Sequence, residues 1–375
     1  MPSLDRITIQ GFKSIRSLEN FELRQLNVLV GANGAGKSNF LEFFALLRAM
    51  CGFSLPFLPV SGLANYSAVH GGCERILHNG SRTTSSLTAS LEIEGTTFSL
   101  ELLPTVDDEL VFARHDGTLF HDGSRTHGGR SGQRSFKVIS DSNLRDRQGL
   151  LYRAIASWQL FHFQATDLAS GVRKSSDVAD TAYLRPDASN LAAFLLHLYE
   201  TEPESYQEIV WAIRLVAPYF DDFEFKKQPG DRIRLFWRAV HSDYVLGAHQ
   251  FSDDTLRYIA LATAFLQPNP PSIMLVDEPE LGQHPQGLAF LGGMVQTLPP
   301  TTKVILATKS PAFLDFFEPE DVVVVRRQNG ASVFERLKGA EYENWLCDYS
   351  LGDLWRKNVI CAGPETEYMC GANHD

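Results

Sequence analysis

Three things are scarce in this chain, and each scarcity excludes something. Cysteine is the first: Cys51, Cys73, Cys347, Cys361 and Cys370 are scattered through 375 residues and odd in number. That argues against a disulfide framework of the secreted kind. The tail spacing Cys361, Cys370, His374 lacks the close cysteine pair of a structural zinc site. Long apolar runs are the second scarcity. None approaches the ~20 residues that cross a bilayer, and Met1-Pro2-Ser3-Leu4-Asp5-Arg6 has no secretory pattern, so the expectation is a cytoplasmic protein without a membrane partner. Positive charge is the third. With 34 Lys and Arg against 45 Asp and Glu, the net charge is -11, so any contact with nucleic acid must be local. A long heptad run and internal repeats are also missing, which excludes an extended coiled coil.

What is present is an ordinary globular composition, 44% hydrophobic and 21% charged, with room for one large domain carrying an insertion, or for two domains. The most informative stretch is Gly31-Ala32-Asn33-Gly34-Ala35-Gly36-Lys37-Ser38, between the apolar run Leu26-Asn27-Val28-Leu29-Val30 and a helical pattern from Asn39. Glycines at this spacing let backbone N–H groups curl round a phosphate at a helix N-terminus, where the dipole favours an anion. Lys37 then reaches the β- and γ-phosphates and Ser38 ligates Mg²⁺, so ATP and Mg²⁺ are the expected cofactors. A second signal is the apolar strand Ser272-Ile273-Met274-Leu275-Val276 ending in Asp277-Glu278. The first carboxylate suits Mg²⁺, and the second suits the attacking water.

Along the chain, Arg6 to Gln10 and Phe21 to Leu23 read as strands, and residues 51 to 85 as loop with short elements. Leu87 to Glu94, Thr97 to Leu102 and Leu110 to Arg114 alternate like an antiparallel meander. From Ser124 to Arg153, the residues Arg125, Arg130, Arg134, Lys137, Arg145, Arg147 and Arg153 face only Asp141 and Asp146. That stretch is either a DNA or RNA contact or a solvated loop. Two helices are expected over Asn190 to Val216, broken near Pro203. Strands follow between Phe223 and Leu246, then a helix from Thr255 to Phe265 and another to about Gln296, with strands at Lys303 to Thr308 and Asp321 to Arg326. The fold class expected is α/β, a mainly parallel sheet covered by helices, with an antiparallel β lobe and a helical insertion. The division expected is 1–85 and 221–335 for the two halves of the phosphate-loop domain, 86–220 for the insertion and 336–375 for a tail.

The order of the phosphate loop, Phe251-Ser252-Asp253-Asp254-Thr255-Leu256-Arg257, Leu275 to Glu280, Leu281-Gly282-Gln283-His284-Pro285 and Ala307-Thr308-Lys309-Ser310-Pro311 resembles a P-loop ATPase head of ABC type. The opening Ile9-Gln10-Gly11-Phe12-Lys13-Ser14-Ile15, the Asn39 after the loop and the tail motif Leu351-Gly352-Asp353-Leu354-Trp355 resemble the SMC, RecF and OLD branch. The resemblance implies ATP held between the loop of one subunit (Asn33 to Asn39, with Lys13) and the signature turn Ser252, Asp253, Asp254 of another. It also implies a homodimer or higher oligomer. Glu278, Lys37 and Lys309 are the implied catalytic group, and Ser38, Asp277 and Gln164 the metal group, although Gln164 reads equally well as a half-buried strand residue.

Two positions depart from that pattern. Asp254 replaces a signature glycine and Lys309 a switch histidine. Lys309 could neutralise Asp254 of the other subunit or meet the γ-phosphate, either of which slows hydrolysis. Relatives of this kind serve DNA repair and anti-phage systems beside a separate nuclease or toxin. No acidic nuclease pattern follows Pro311, so an effector is expected on another chain. A transporter ATPase subunit, a small-molecule kinase and a scaffold that holds ATP without turnover are the competing classes.

Overall fold

The computed structural model describes residues 2–53, 62–113 and 147–363. Its centre is a six-stranded sheet in the order Ala331–Arg336, Val322–Gln328, Leu26–Val30, Lys303–Thr308, Ile273–Asp277, Trp158–Phe161. All neighbours run parallel except the pair formed by the first two strands. The continuous apolar runs arise because the sheet is covered on both faces. Side chains alternate between the two faces: Val28, Val30, Met274, Val276, Val304 and Leu306 enter one core, and Leu29, Ile273, Leu275, Ile305 and Ala307 the other.

On the second face lies the helix Lys37–Met50, whose Phe40, Phe43, Phe44 and Leu47 are buried. Above it is an antiparallel sheet in the order Ile15–Glu22, Leu4–Phe12, Leu87–Ile93, Thr96–Pro104, Leu110–Phe112. The expected meander is therefore present, and it is joined to the N-terminal strand through Ile7↔Leu91 and Ile9↔Ala89. A division at 85/86 falls within this one sheet. The first face carries Leu191–Thr201, Pro203–Val216, Asp253–Leu266 and Pro285–Thr297, all contributing to one core. Two small sheets complete it: Phe220–Glu224 with Phe236–Ala239 and Val245–Gly247, and Ser176–Asp177 with Arg232–Ile233 and Lys227–Gln228.

The strand Ala331–Arg336 extends the sheet beyond the last strand expected. Its hairpin turns on Asn329-Gly330, with φ of 51° and 76°, so that Gln328 pairs with Ala331. Asn-Gly is the pair that tolerates two positive φ angles in a two-residue turn. In the tail, the short helix Leu351–Arg356 packs on Pro311–Leu314, with the Gly352 N–H donating to Asp315 Oδ1 at 2.6 Å. Cys51, Cys73 and Cys347 are free thiols. Cys361 is disulfide-bonded. Among the described residues no helix is long and apolar enough to cross a membrane.

Candidate functional site

Register brings the chemistry together. Val30 pairs with Thr308, and Ala307 pairs with Asp277, so the glycine loop, Lys309 and the carboxylates all leave the sheet at the same edge. In the loop, Gly34 and Gly36 take φ of 77° and 114°, a left-handed backbone that glycine adopts without a Cβ penalty. A Cβ on Gly36 would lie 2.1 Å from Ser332 Oγ and 2.6 Å from Ser14 Oγ, so close packing also demands glycine there. The Ala35 N–H donates to Ala32 O at 3.2 Å and the Phe40 N–H to Gly36 O at 3.1 Å, closing the turn and starting the helix.

Lys37 is 5% exposed, and its Nζ donates to Gly31 O at 2.6 Å and Ala32 O at 3.1 Å. The ammonium thus rests inside the concavity of the loop. Burial first and the nearby Lys309 charge second push its pKa down to about 8. The next residue, Ser38, donates from Oγ to Asp277 Oδ2 at 3.0 Å. Asp277 Oδ1 is buried with no hydrogen bond from the described residues, and burial raises the carboxyl's pKa. A hydroxyl and a carboxylate with an open oxygen form a hard donor set of the kind Mg²⁺ takes, its other positions going to water and phosphate. The residues present fit that ion.

Glu278 follows with φ of 52°, and its N–H donates to Ala307 O at 2.8 Å. Left-handed backbone at a non-glycine residue costs on the order of 1–2 kcal/mol, so this turn is held by its surroundings. Its carboxylate forms an ion pair with Lys309 Nζ, which holds the lysine's pKa above the ordinary value. Glu280 accepts the Lys309 N–H at 2.6 Å and is itself raised in pKa by burial. Glu280 thereby braces the loop that carries Lys309, a contact visible only once the two strands are neighbours.

Ser252 caps the helix Asp253–Leu266, its Oγ accepting the Thr255 N–H at 3.1 Å. Ser252, Asp253 and Asp254 are exposed. Among the described residues no hydrogen bond or ion pair joins them directly to the phosphate loop. Both aspartates have partners in their own chain: Asp253 Oδ1 with Arg173 Nη2 at 2.6 Å, and Asp254 Oδ1 with Arg257 Nη1 at 3.2 Å. Within one chain Asp254 is thus paired with Arg257, and Lys309 with Glu278. Neither arginine pair was anticipated. The i,i+3 spacing of Asp254 and Arg257 was a usable signal, whereas Arg173 lies 80 residues from its partner.

Gln164 is half-buried, three residues past the edge strand Trp158–Phe161, at the end of the sheet where Asp277 emerges. Lys13 has φ of 47°, pairs with Glu42, and lines an open polar cleft of about 610 Å³ with Ser14, Asn39, His70, Arg75 and Arg327. Asn39 Nδ2 donates to Ser14 Oγ at 2.6 Å, so its side chain ties the loop helix to the opening motif. Of the basic stretch, Arg125, Arg130, Arg134, Lys137 and Arg145 lie outside the described residues. Arg147 and Arg153 fall on the helix Arg147–Ala156.

Residues 26–315 match the model of a family described as "AAA domain, putative AbiEii toxin, Type IV TA system". No curated protein matches the chain. Among solved structures, an SMC head bound to the C-terminal winged-helix domain of ScpA aligns with a TM-score of 0.54 at 14% identity, covering 91% of this chain and 99% of that one. A Pyrococcus furiosus SMC head with an extended coiled coil, bound to the C-terminal domain of ScpA, gives 0.53 at 13% identity, covering 93% and 99%. At such identity the likeness concerns the fold, which is that of an SMC-type ATPase head.

Proposed function

Because the chain belongs to this AAA-domain family, we propose that it is an ATP-binding and ATP-hydrolysing switch whose two copies close around the nucleotide and signal to a separate effector chain. The observation that carries the reading is the Ser38–Asp277 hydrogen bond of 3.0 Å beside Lys37, with Glu278 next in the chain. The loop N–H groups and Lys37 hold the phosphates, and Lys13, in the cleft beside the loop helix, is a further nucleotide contact. Ser38 and Asp277, with Gln164, are the residues that would hold Mg²⁺, and the ion would supply neutralisation of charge on the phosphates. Glu278 orients the attacking water and takes its proton. Ser252, Asp253 and Asp254 present the signature helix N-terminus to nucleotide on a second copy.

Relatives by fold are recorded with a bound partner domain of ScpA, which supports a partner for this head too. The family description, which names a putative toxin and a toxin–antitoxin system, supports a role beside a toxin. A nuclease partner in defence or DNA maintenance, and a DNA contact through the local positive excess of residues 125–153, are part of the same reading and rest on the sequence alone. Cytoplasmic residence goes with that role. The test is light scattering of the Glu278→Gln variant with ATP and Mg²⁺. Trapped association of at least two copies is expected, and a mass unchanged by ATP over a hundredfold range of concentration sinks the reading.

One observation favours a second reading, that of a poorly hydrolysing scaffold: the carboxylate of Glu278 is occupied by Lys309. A carboxylate clamped by an ammonium must break that contact before it can orient a water. If the clamp governs the rate, Lys309→His raises phosphate release several-fold; a fast parent rate unaffected by the substitution removes the scaffold reading.

A further inference from the structure

Two arginines that the reaction does not use lie between the parts of the site that do. Arg173 has only 5% of its side chain exposed and Arg257 only 9%. Buried guanidiniums are stable only when their donors and charge are matched, and both are matched by the same two segments. Arg173 donates from Nε to Thr166 O at 2.6 Å, from Nη1 and Nη2 to Phe251 O at 3.2 Å, and from Nη1 to Ala248 O, besides its pair with Asp253. Arg257 donates from Nε to Phe163 O at 3.0 Å, and from Nη2 to Gln164 O at 3.3 Å and Thr166 Oγ1 at 3.4 Å. It also donates from Nη1 to Leu281 O at 2.9 Å and pairs with Asp254. Thr166 is gripped by both.

We propose that Arg173 and Arg257 are positioning residues that tie segment 163–166 and Leu281 to the signature turn through the Asp253 and Asp254 carboxylates. Nucleotide seated on the phosphate loop thereby alters the turn that faces a second copy. This rests on the proposed function for the identity of the ligand. The geometry gives it direction. Segment 163–166 follows the strand paired with the Asp277 strand, and Leu281 lies four residues beyond Asp277, so a shift at the metal side reaches both arginines through backbone carbonyls. Each arginine then passes the shift to one aspartate. The fork of a guanidinium reaches several acceptors at fixed angles, which a lysine ammonium does not.

The experiment follows amide hydrogen exchange over residues 248–257 of the full-length chain in the Glu278→Gln background. Protein is kept at a concentration where light scattering shows single chains, with and without saturating ATP and Mg²⁺. In the parent, nucleotide is expected to change exchange in this segment at least threefold. Arg173→Gln and Arg257→Gln are expected to lose that response while binding a fluorescent ATP analogue within threefold of the parent, and Arg257→Lys to lose most of it. A merely structural role would lower the melting midpoint and leave the response in place. Should either arginine variant fail to fold, Asp253→Asn and Asp254→Asn decide: a diminished response supports the tie, and an undiminished one overturns it. A parent whose segment ignores nucleotide also overturns it. Association with ATP despite a silent segment leaves the proposed function standing, whereas a responding segment without association sinks the dimer and keeps the tie.

Discussion

Lys37 reports on the whole phosphate site through a single proton. Its ammonium rests on Gly31 O and Ala32 O, and its pKa is about 8 where an exposed lysine holds 10.5. Phosphate binding keeps that proton on. Below about pH 8 the charge is already present and affinity should be nearly flat; above it, each binding event must take up a proton, and affinity should fall by up to about tenfold per pH unit. Titration with a fluorescent ATP analogue from pH 7 to 9.5 checks this. Lys37→Ala should bind about 10- to 100-fold more weakly at pH 7, the worth of a charge-assisted hydrogen bond, and should lose the alkaline fall. The neighbouring Asp277 gives a second expectation at this scale. Its Oδ1 is buried and without a hydrogen bond from the described residues, so Asp277→Asn should abolish the gain in nucleotide affinity that Mg²⁺ gives the parent, measured against an EDTA control.

The elements impose a different test, because two glycines of one loop differ in what surrounds them. Gly34 has φ of 77° and open space, whereas Gly36 has φ of 114° and two hydroxyls within 2.6 Å of where a Cβ would go. Gly34→Ala should therefore cost only the left-handed backbone, on the order of 1–2 kcal/mol. Gly36→Ala should cost more, and should also displace Ser14 and Ser332, whose hydroxyls bond each other at 2.7 Å. Paired urea denaturation curves of the two variants measure the difference. In the tail, a Cβ on Gly352 would lie 2.2 Å from Pro311 O. Gly352→Ala should detach Leu351–Arg356 from the helix behind Lys309 and raise exchange of the 351–356 amides. The tail motif thus has a packing role at the back of the switch.

At the scale of the molecule, the parallel sheet separates two cores and gathers its loops at one edge. What lies on that edge was legible in part: Gly31 to Ser38, Asp277-Glu278 and Lys309 each stand at the end of an apolar run, and a run bounded by turn residues is a local property of the chain. The strands Leu26–Val30 and Lys303–Thr308 fall where their apolar patterns end. The pattern of a strand does not name its neighbour. That Lys303–Thr308 lies between the loop strand and the carboxylate strand, that the meander extends the N-terminal sheet, and that Arg173 reaches Asp253 were settled only by burial of one face against another. The same holds for Lys309. Its sequence position points to Asp254 of another copy or to a phosphate, and within one chain the fold sets it on half-buried Glu278, because adjacent parallel strands end at one level and bring the two side chains together. Residue type and spacing determined the chemistry this chain carries; long-range packing, which no local period encodes, decided which groups pair.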